Sequence, residues 1–139
     1  MNYKIIGKYI KNLNFKIPNP KIFYNLAKDI SNYKINIDIK SDQIKENIIE
    51  VLTSINLTPN DDSTEKIDTK IVYATIVELA NKKIDKKEIE KIILIYVPSE
   101  IYGELRKIFV NLFENSGFKD VQISENIDFQ KLYNMRKVQ

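Results

Sequence analysis

Apolar and polar residues alternate along much of the first eighty positions, and then the period changes. Over residues 3–17, Tyr3, Ile5, Tyr9, Leu13, Phe15 and Ile17 share one side, while Lys4, Lys8, Asn12, Asn14 and Lys16 lie mostly on the other. Successive side chains of a strand point to opposite faces, so this two-residue period predicts a long strand with one buried face. Gly7 marks a bulge or bend within it. Pro18-Asn19-Pro20 ends the strand, because proline donates no ladder hydrogen bond and restricts the residue before it. Residues 21–33 then form a crossover that is unusually apolar for a connection, with Phe23, Tyr24, Leu26, Ile30 and Tyr33. Within it Lys21 to Asp29 predicts a helix, since Ile22–Leu26 and Phe23–Ala27 pair at four-residue spacing.

Alternation resumes at residues 33–40, where Ile35, Ile37 and Ile39 oppose Lys34, Asn36 and Asp38. It returns at 49–58, with Val51, Thr53, Ile55 and Leu57 opposite Leu52, Ser54 and Asn56. The polar patch between them, Ser41 to Asn47, predicts a turn or bulge, and Pro59-Asn60-Asp61-Asp62-Ser63 a hairpin loop. Residues 67–79 carry Ile71, Tyr73, Thr75, Val77 and Leu79 on one side and Val72, Ala74 and Ile76 on the other. Both faces are apolar there, which predicts a strand covered on both sides.

From Lys86 to Val97 the stripe is helical: Ile89, Ile92, Ile93 and Tyr96. Pro98 is expected to break it, with Ser99 as N-cap of a second helix to Asn115 that carries Ile101, Leu105, Ile108, Phe109, Leu112 and Phe113 on one face. Gly117 reads as a left-handed C-cap followed by apolar Phe118. A short extended piece holds Val121 and Ile123, and Asp128 caps a last helix with Phe129, Leu132 and Tyr133. Strands first and helices after predict an α+β fold. One four-stranded antiparallel sheet carries helices packed on one face, in a single domain over residues 1–139.

Composition narrows the chemistry. Among 139 residues there is no cysteine and no histidine. Disulfides, thiol nucleophiles, common structural zinc sites and the usual general base near neutral pH are therefore excluded. No glycine loop suited to phosphate exists, and Asp61, Asp62 and Glu65 read as a solvated acidic loop, since no glycine provides the sharp turn of a calcium loop. The reading is a protein that is not an enzyme and that uses no cofactor and no metal. The net charge of +3 is a mild lysine excess, which reads as solubility. The pairs Lys82-Lys83 and Lys86-Lys87 read as a solvated helix entry, with a basic RNA- or protein-binding adaptor as the alternative. No apolar run approaches the ~20 residues that span a bilayer, and Met1 to Lys11 lacks the apolar core of a signal peptide, so a cytoplasmic location is expected.

Three stretches resemble the SecB family of protein-export chaperones. Tyr9 to Pro20, YIKNLNFKIPNP, is similar to the family's first strand, with its early aromatic Tyr9, late Phe15 and closing Pro18-Asn19. Tyr33 to Pro59, YKINIDIKSDQIKENIIEVLTSINLTP, resembles the long strand pair. Pro98, Gly117-Phe118 and Asn126-Ile127-Asp128-Phe129-Gln130-Lys131-Leu132-Tyr133 resemble the family's helical end. The resemblance implies an ATP-independent holdase that forms a homodimer or homotetramer, binds unfolded client polypeptides in apolar grooves, and serves protein export with the SecA motor as partner. Positions where the family carries acidic residues for that motor hold Asn12, Lys16 and Ala74 here, which counts against docking by the usual contacts. Divergent members serve as dedicated chaperones of antitoxins, which is a second role the resemblance implies. Holding unfolded chains requires exposed apolar surface, and the crossover offers it. The candidate client-binding residues are therefore Phe23, Tyr24, Leu26, Ile30, Tyr33, Ile35 and Ile37.

Overall fold

The computed structural model describes residues 2–28, 33–59, 67–81, 83–118 and 123–138. The expected hairpin loop beyond Pro59, with Asp61, Asp62 and Glu65, lies outside the described residues, as do Ile30, Lys82 and Val121. The elements are β1 (Tyr3–Lys16), α1 (Pro20–Lys28), β2 (Tyr33–Lys45), β3 (Ile48–Pro59) and β4 (Asp68–Leu79). They are followed by α2 (Lys86–Lys91), a π-helical segment (Ile92–Tyr96), α3 (Val97–Asn115) and α4 (Phe129–Val138). The strands form one sheet in the order β1-β4-β3-β2, every neighbouring pair antiparallel. The α+β class expected from the pattern is the one observed.

Local chemistry accounts for the ends of these elements. The Asn19 side-chain oxygen accepts a 2.9 Å hydrogen bond from the Ile22 amide, capping α1, and Pro20 occupies the helix start where its missing N–H costs nothing. At the far end of α3, Phe118 N–H donates to the Phe113 carbonyl at 3.0 Å and Gly117 N–H to that of Glu114 at 3.1 Å. This paired closure requires a left-handed residue, and Gly117 has φ 98°. Asp128 caps α4 as expected, accepting from the Lys131 amide at 2.9 Å.

β1 departs from simple alternation. Two register shifts, between Ile5 and Gly7 and between Ile10 and Asn12, each add a residue relative to β4. A bulge turns every following side chain over. Lys8 and Ile10 therefore face the helices, while Tyr9 faces the open side of the sheet, the reverse of strict alternation. Side-chain contacts agree: Lys8 Nζ lies 2.7 Å from Glu104 of α3, whereas the Tyr9 hydroxyl donates to Glu50 of β3. Glycine at position 7 was the visible signal for the first bulge; nothing in the sequence marks the second.

The strand pair β2–β3 is longer than expected. β2 runs on through Ser41 to Lys45 with a register shift near Gln43, and only Glu46-Asn47 turn. For β4, the side bearing Ile71, Tyr73, Val77 and Leu79 is buried under the helices. On its other side Val72 and Ile76 are half-buried, and among the described residues no helix or second sheet covers them. Ala74 is nonetheless buried there, paired with Tyr9, whose side chain reaches across to Glu50.

The largest difference is at Pro98, which does not break the helix. The chain stays helical from Lys86 to Asn115. Proline lacks the N–H that would return to the preceding turn, and a widened turn absorbs the defect. Val97 N–H reaches back five residues to the Ile92 carbonyl. Ser99 is consequently inside the helix rather than at its cap, and its hydroxyl donates to the Ile95 carbonyl at 2.5 Å. The rod so formed buries Ile101, Leu105, Phe109 and Phe113 against Ile55 and Ile71 in one cluster, and Ile92 and Val97 against Val51 and Val77 in the next.

Two measurements follow. Gly117→Ala forces a side chain into a left-handed residue and places its Cβ 3.3 Å from the Phe23 ring. Urea unfolding is expected to show a loss of roughly 1–2 kcal/mol. Gly103→Ala, in mid-helix with nothing near the added Cβ, is expected to gain roughly 0.5–1 kcal/mol instead. Equal signs would overturn both assignments. Hydrogen bonds from Lys11 and then Tyr9 hold the Glu50 carboxyl below the usual carboxylate range. The folded state thus favours the charged form, and its contribution is full above that range. It is lost as pH falls through the lowered folded-state value. Below about pH 4 the parent should lose stability more steeply than Glu50→Gln; parallel acid-unfolding curves would rule the contact out as a contributor.

Candidate functional site

β2 is an edge strand, and its helix-facing residues Tyr33, Ile35, Ile37 and Ile39 are only half-buried. The helical rod sits over the central strands, so the margin above β2 is left to α4. That helix docks through Phe129 and Tyr133 onto Ile95 and Tyr102, with Ile37 and Ile39 at the border. The segment leading to it is pinned to α3 by two polar contacts. The Tyr102 hydroxyl donates to the Ser124 carbonyl at 2.7 Å, and Arg106 Nε to that of Ile123 at 3.1 Å. Burial, and next the nearby Glu90 carboxylate, push the Tyr133 hydroxyl pKa up, so it remains a neutral wall group at physiological pH.

Between β2 and these helices lie two adjoining open cavities. The larger, about 560 Å³, is lined by Ile39, Lys40, Ser41, Lys86, Ile89, Glu90, Ile93 and Leu94. The smaller, about 190 Å³, is lined by Ile37, Asp38, Ile39, Leu94, Phe129, Leu132 and Tyr133. Ile39 and Leu94 belong to both, so the two form one trough along the sheet edge. Its walls combine aliphatic and aromatic side chains with the polar residues Asp38, Lys40, Ser41, Lys86 and Glu90. Among the described residues no group of acidic side chains is placed to hold a metal ion. What such a surface does chemically is take up apolar side chains, and Leu132 and Met135 of α4 extend it as exposed apolar groups.

The residues singled out from the sequence fall into two places. Tyr33, Ile35 and Ile37 lie along β2, and Ile37 lines the trough. Phe23, Tyr24 and Leu26 lie on α1, at the other end of the core. Leu26 is 1% exposed and belongs to the core itself. Phe23 packs its ring 4.8 Å from that of Phe118, and Tyr24, 63% exposed, carries Lys28 over its face at 5.3 Å. Ile30 lies outside the described residues. Sequence reasoning missed Ile39, Ile89, Ile93, Leu94 and Leu132 as trough residues. The apolar stripe of α2 was visible, but that it borders an edge strand depends on strand order. Asn12 and Lys16 are exposed on the open face of the sheet, whereas Ala74 is buried beside Tyr9. Among the described residues no helix is long and apolar enough to cross a membrane.

Known proteins share both sequence and architecture with this chain. The family profile described as preprotein translocase subunit SecB matches residues 1–139. A putative protein-export protein SecB of Pelagibacter ubique is 42% identical over 135 residues, covering 97% of this chain and 96% of that protein. The protein-export protein SecB of Burkholderia lata is 26% identical over 142 residues, covering 99% and 83%. Among solved structures, a SecB-like chaperone of Mycobacterium tuberculosis in complex with an antitoxin peptide has the same fold. The TM-score is 0.64 at 10% identity, over 91% of this chain and 88% of that one. With sequence agreement along the whole length and the strand order and helical end in place, the chain belongs to the SecB family of protein-export chaperones.

Proposed function

We propose that this protein is an ATP-independent holdase that keeps client polypeptides unfolded by seating their apolar side chains in the trough between β2 and the helices. The observation that carries the reading is the pair of adjoining cavities on an edge strand, open to solvent, where Ile37, Ile39, Ile89, Ile93, Leu94, Phe129 and Leu132 offer apolar contact. Extended chains place alternate side chains on one side, which suits a trough that follows a strand. The reading needs no catalytic residue, cofactor or metal, and it fits a single domain acting in the cytoplasm. The crossover residues Phe23 and Tyr24 of α1, with Tyr33 and Ile35 at the start of β2, are the second apolar surface of this reading, and Ile37 belongs to the trough.

Protein export is the role the family supports. With Asn12, Lys16 and Ala74 at the expected motor-contact positions, a SecA partner would have to engage by other residues. A second reading, a dedicated antitoxin chaperone, is supported by the antitoxin peptide bound to the Mycobacterium tuberculosis fold relative. Self-association follows from β1, the other edge strand, which leaves Ile6, Ile10 and Leu13 exposed. Light scattering is expected to give a dimer or tetramer; a strict monomer at micromolar concentration would count against such an assembly.

The functional test is suppression of client aggregation without nucleotide. Ile39→Ser combined with Leu132→Ser removes two apolar contacts, each worth on the order of 1.5–3 kcal/mol when fully buried. Partial burial and non-additivity reduce the sum, so client affinity should fall roughly ten- to a hundredfold. Phe23→Ser, Tyr33→Ser and Ile35→Ser together should lower it ten- to a thousandfold, on the order of one such contact or more. Affinity should survive high salt, whereas a basic RNA adaptor would lose it steeply. Folded, correctly assembled variants that protect as well as the parent would place the client elsewhere.

A further inference from the structure

The rod, more than the sheet, carries α4. Among its described side chains the buried ones are Phe129 and Tyr133, one helical turn apart. Both dock on Ile95 and Tyr102, while Ile37 and Ile39 of β2 only border the contact. Leu132 of α4 lines the smaller cavity together with Ile37. The trough thus lies between β2 and a helix borne by the rod. Two anchors on one line leave a helix able to rock about that line, and a helix of ten residues is marginal by itself. A third attachment lies off the line, in the segment before α4. Tyr102 and Arg106, four residues apart and so on one face of α3, donate to two consecutive carbonyls. The Tyr102 hydroxyl donates to Ser124 at 2.7 Å, and Arg106 Nε to Ile123 at 3.1 Å. Donors one turn apart that meet acceptors one residue apart fix both the place and the direction of the segment. The Tyr102 ring also meets Phe129 edge-on, with centroids 6.0 Å apart, so one side chain holds both the approach to α4 and its first residue. Burial pushes the Tyr102 hydroxyl pKa up, against the nearby Arg106 charge, so the hydroxyl stays protonated and donates at physiological pH.

Resting on the client-binding reading above, we propose that Tyr102 and Arg106 are positioning residues of the trough: they clasp the segment before α4 to the rod and so hold α4 in place as the second wall. Neither residue lines the cavities, and Tyr102 is 3% exposed, so they act through α4 and not on the client. Their effect is preorganisation. With the clasp closed, a client meets Leu132 and Tyr133 already set opposite Ile37 and Ile39. With the clasp open, the client has to order α4 as it binds, and affinity falls by that cost.

Tyr102→Phe combined with Arg106→Met removes both donors yet keeps the ring against Phe129 and an apolar stem at position 106. Two readouts on the full chain test the clasp. The sequence has no cysteine, so Asp42→Cys on β2 and Lys131→Cys on α4, both exposed, accept one pair of spin labels. Labelled chains are diluted into unlabelled ones, so that distances within one copy are read. Client affinity is read on unlabelled protein by anisotropy of a fluorescent extended peptide with an alternating Leu/Phe core. The double variant should broaden the distance distribution and bind the peptide roughly three- to thirtyfold more weakly, chiefly through faster dissociation. Tyr102→Phe with Arg106→Lys, which restores one donor, should recover part of both. Glu50→Gln, on the opposite face of the sheet, should leave both at the parent values. Unchanged distances would overturn the positioning role, and so would an unchanged affinity beside broadened distances. Equal changes in Glu50→Gln would overturn it as well, since the effect would then be general loosening. Should the double variant fail to fold, Tyr102→Phe alone takes its place with the same outcomes in smaller measure. Ile39→Ser with Leu132→Ser separates the two readings: loss of affinity there and none in the clasp variant sinks the clasp alone, whereas no loss in either sinks both.

Discussion

A single helical rod lies across a sheet that is wider than the rod. A helix with its side chains is about 10–12 Å across, and strands are spaced about 4.8 Å apart, so one rod covers the middle of four strands and not their margins. The rod seals β3 and β4, where Val51, Ile55, Ile71 and Val77 are fully buried. At one margin β1 keeps Ile10 and Leu13 exposed; at the other β2 keeps Ile37 and Ile39 half-buried beside the trough. The surfaces proposed for self-association and for client binding are thus two consequences of one mismatch in width.

The continuity of the rod decides what borders the trough. Had the chain broken at Pro98, Ile89, Ile93 and Leu94 would belong to a separate short helix with no fixed angle to α3. The widened turn at Ile92–Tyr96 keeps one axis and shifts the phase of the side chains. Ile92 and Ile95 then enter the core while Ile93 and Leu94 meet the trough. Phe113, the last large core residue of the rod, touches Phe15, Phe109 and Phe118 with ring centroids 5.0–5.5 Å apart. That aromatic cluster joins the end of the rod to β1, and through Phe118 to Phe23 of α1.

The polar contacts of β1 fasten its displaced register from both sides. Glu104 on α3 accepts from Lys8 and from Tyr73, each at 2.7 Å, and burial with this contact pushes the Tyr73 hydroxyl up to about 12. On the open face Glu50 accepts from Tyr9 and Lys11. Each bulge would be free to slip if it were held by backbone pairing alone. A carboxylate on either face of the sheet, each bound by a β1 side chain, favours one register over its neighbours. Ala74 is small where Tyr9 must cross, so a position expected to carry a motor-contact acid serves the sheet itself.

By itself the sequence determined the class of fold, the number of strands, the closure at Gly117 and the cap at Asp128. Each of these rests on local chemistry or periodicity: alternation for strands, a left-handed residue at a helix end, a carboxylate before the first turn. Residues 33–39 were legible as a strand, and Tyr33, Ile35 and Ile37 as apolar surface on it. The tertiary structure decided strand order, and with it which strands are edges. It also decided the facing of Lys8, Tyr9 and Ile10 beyond a bulge, and the passage of the helix through Pro98. The trough lies between Ile39 and Leu94, 55 positions apart in the chain. No local pattern reports such a pairing, because it arises only when the strands are ordered and the rod is laid across them.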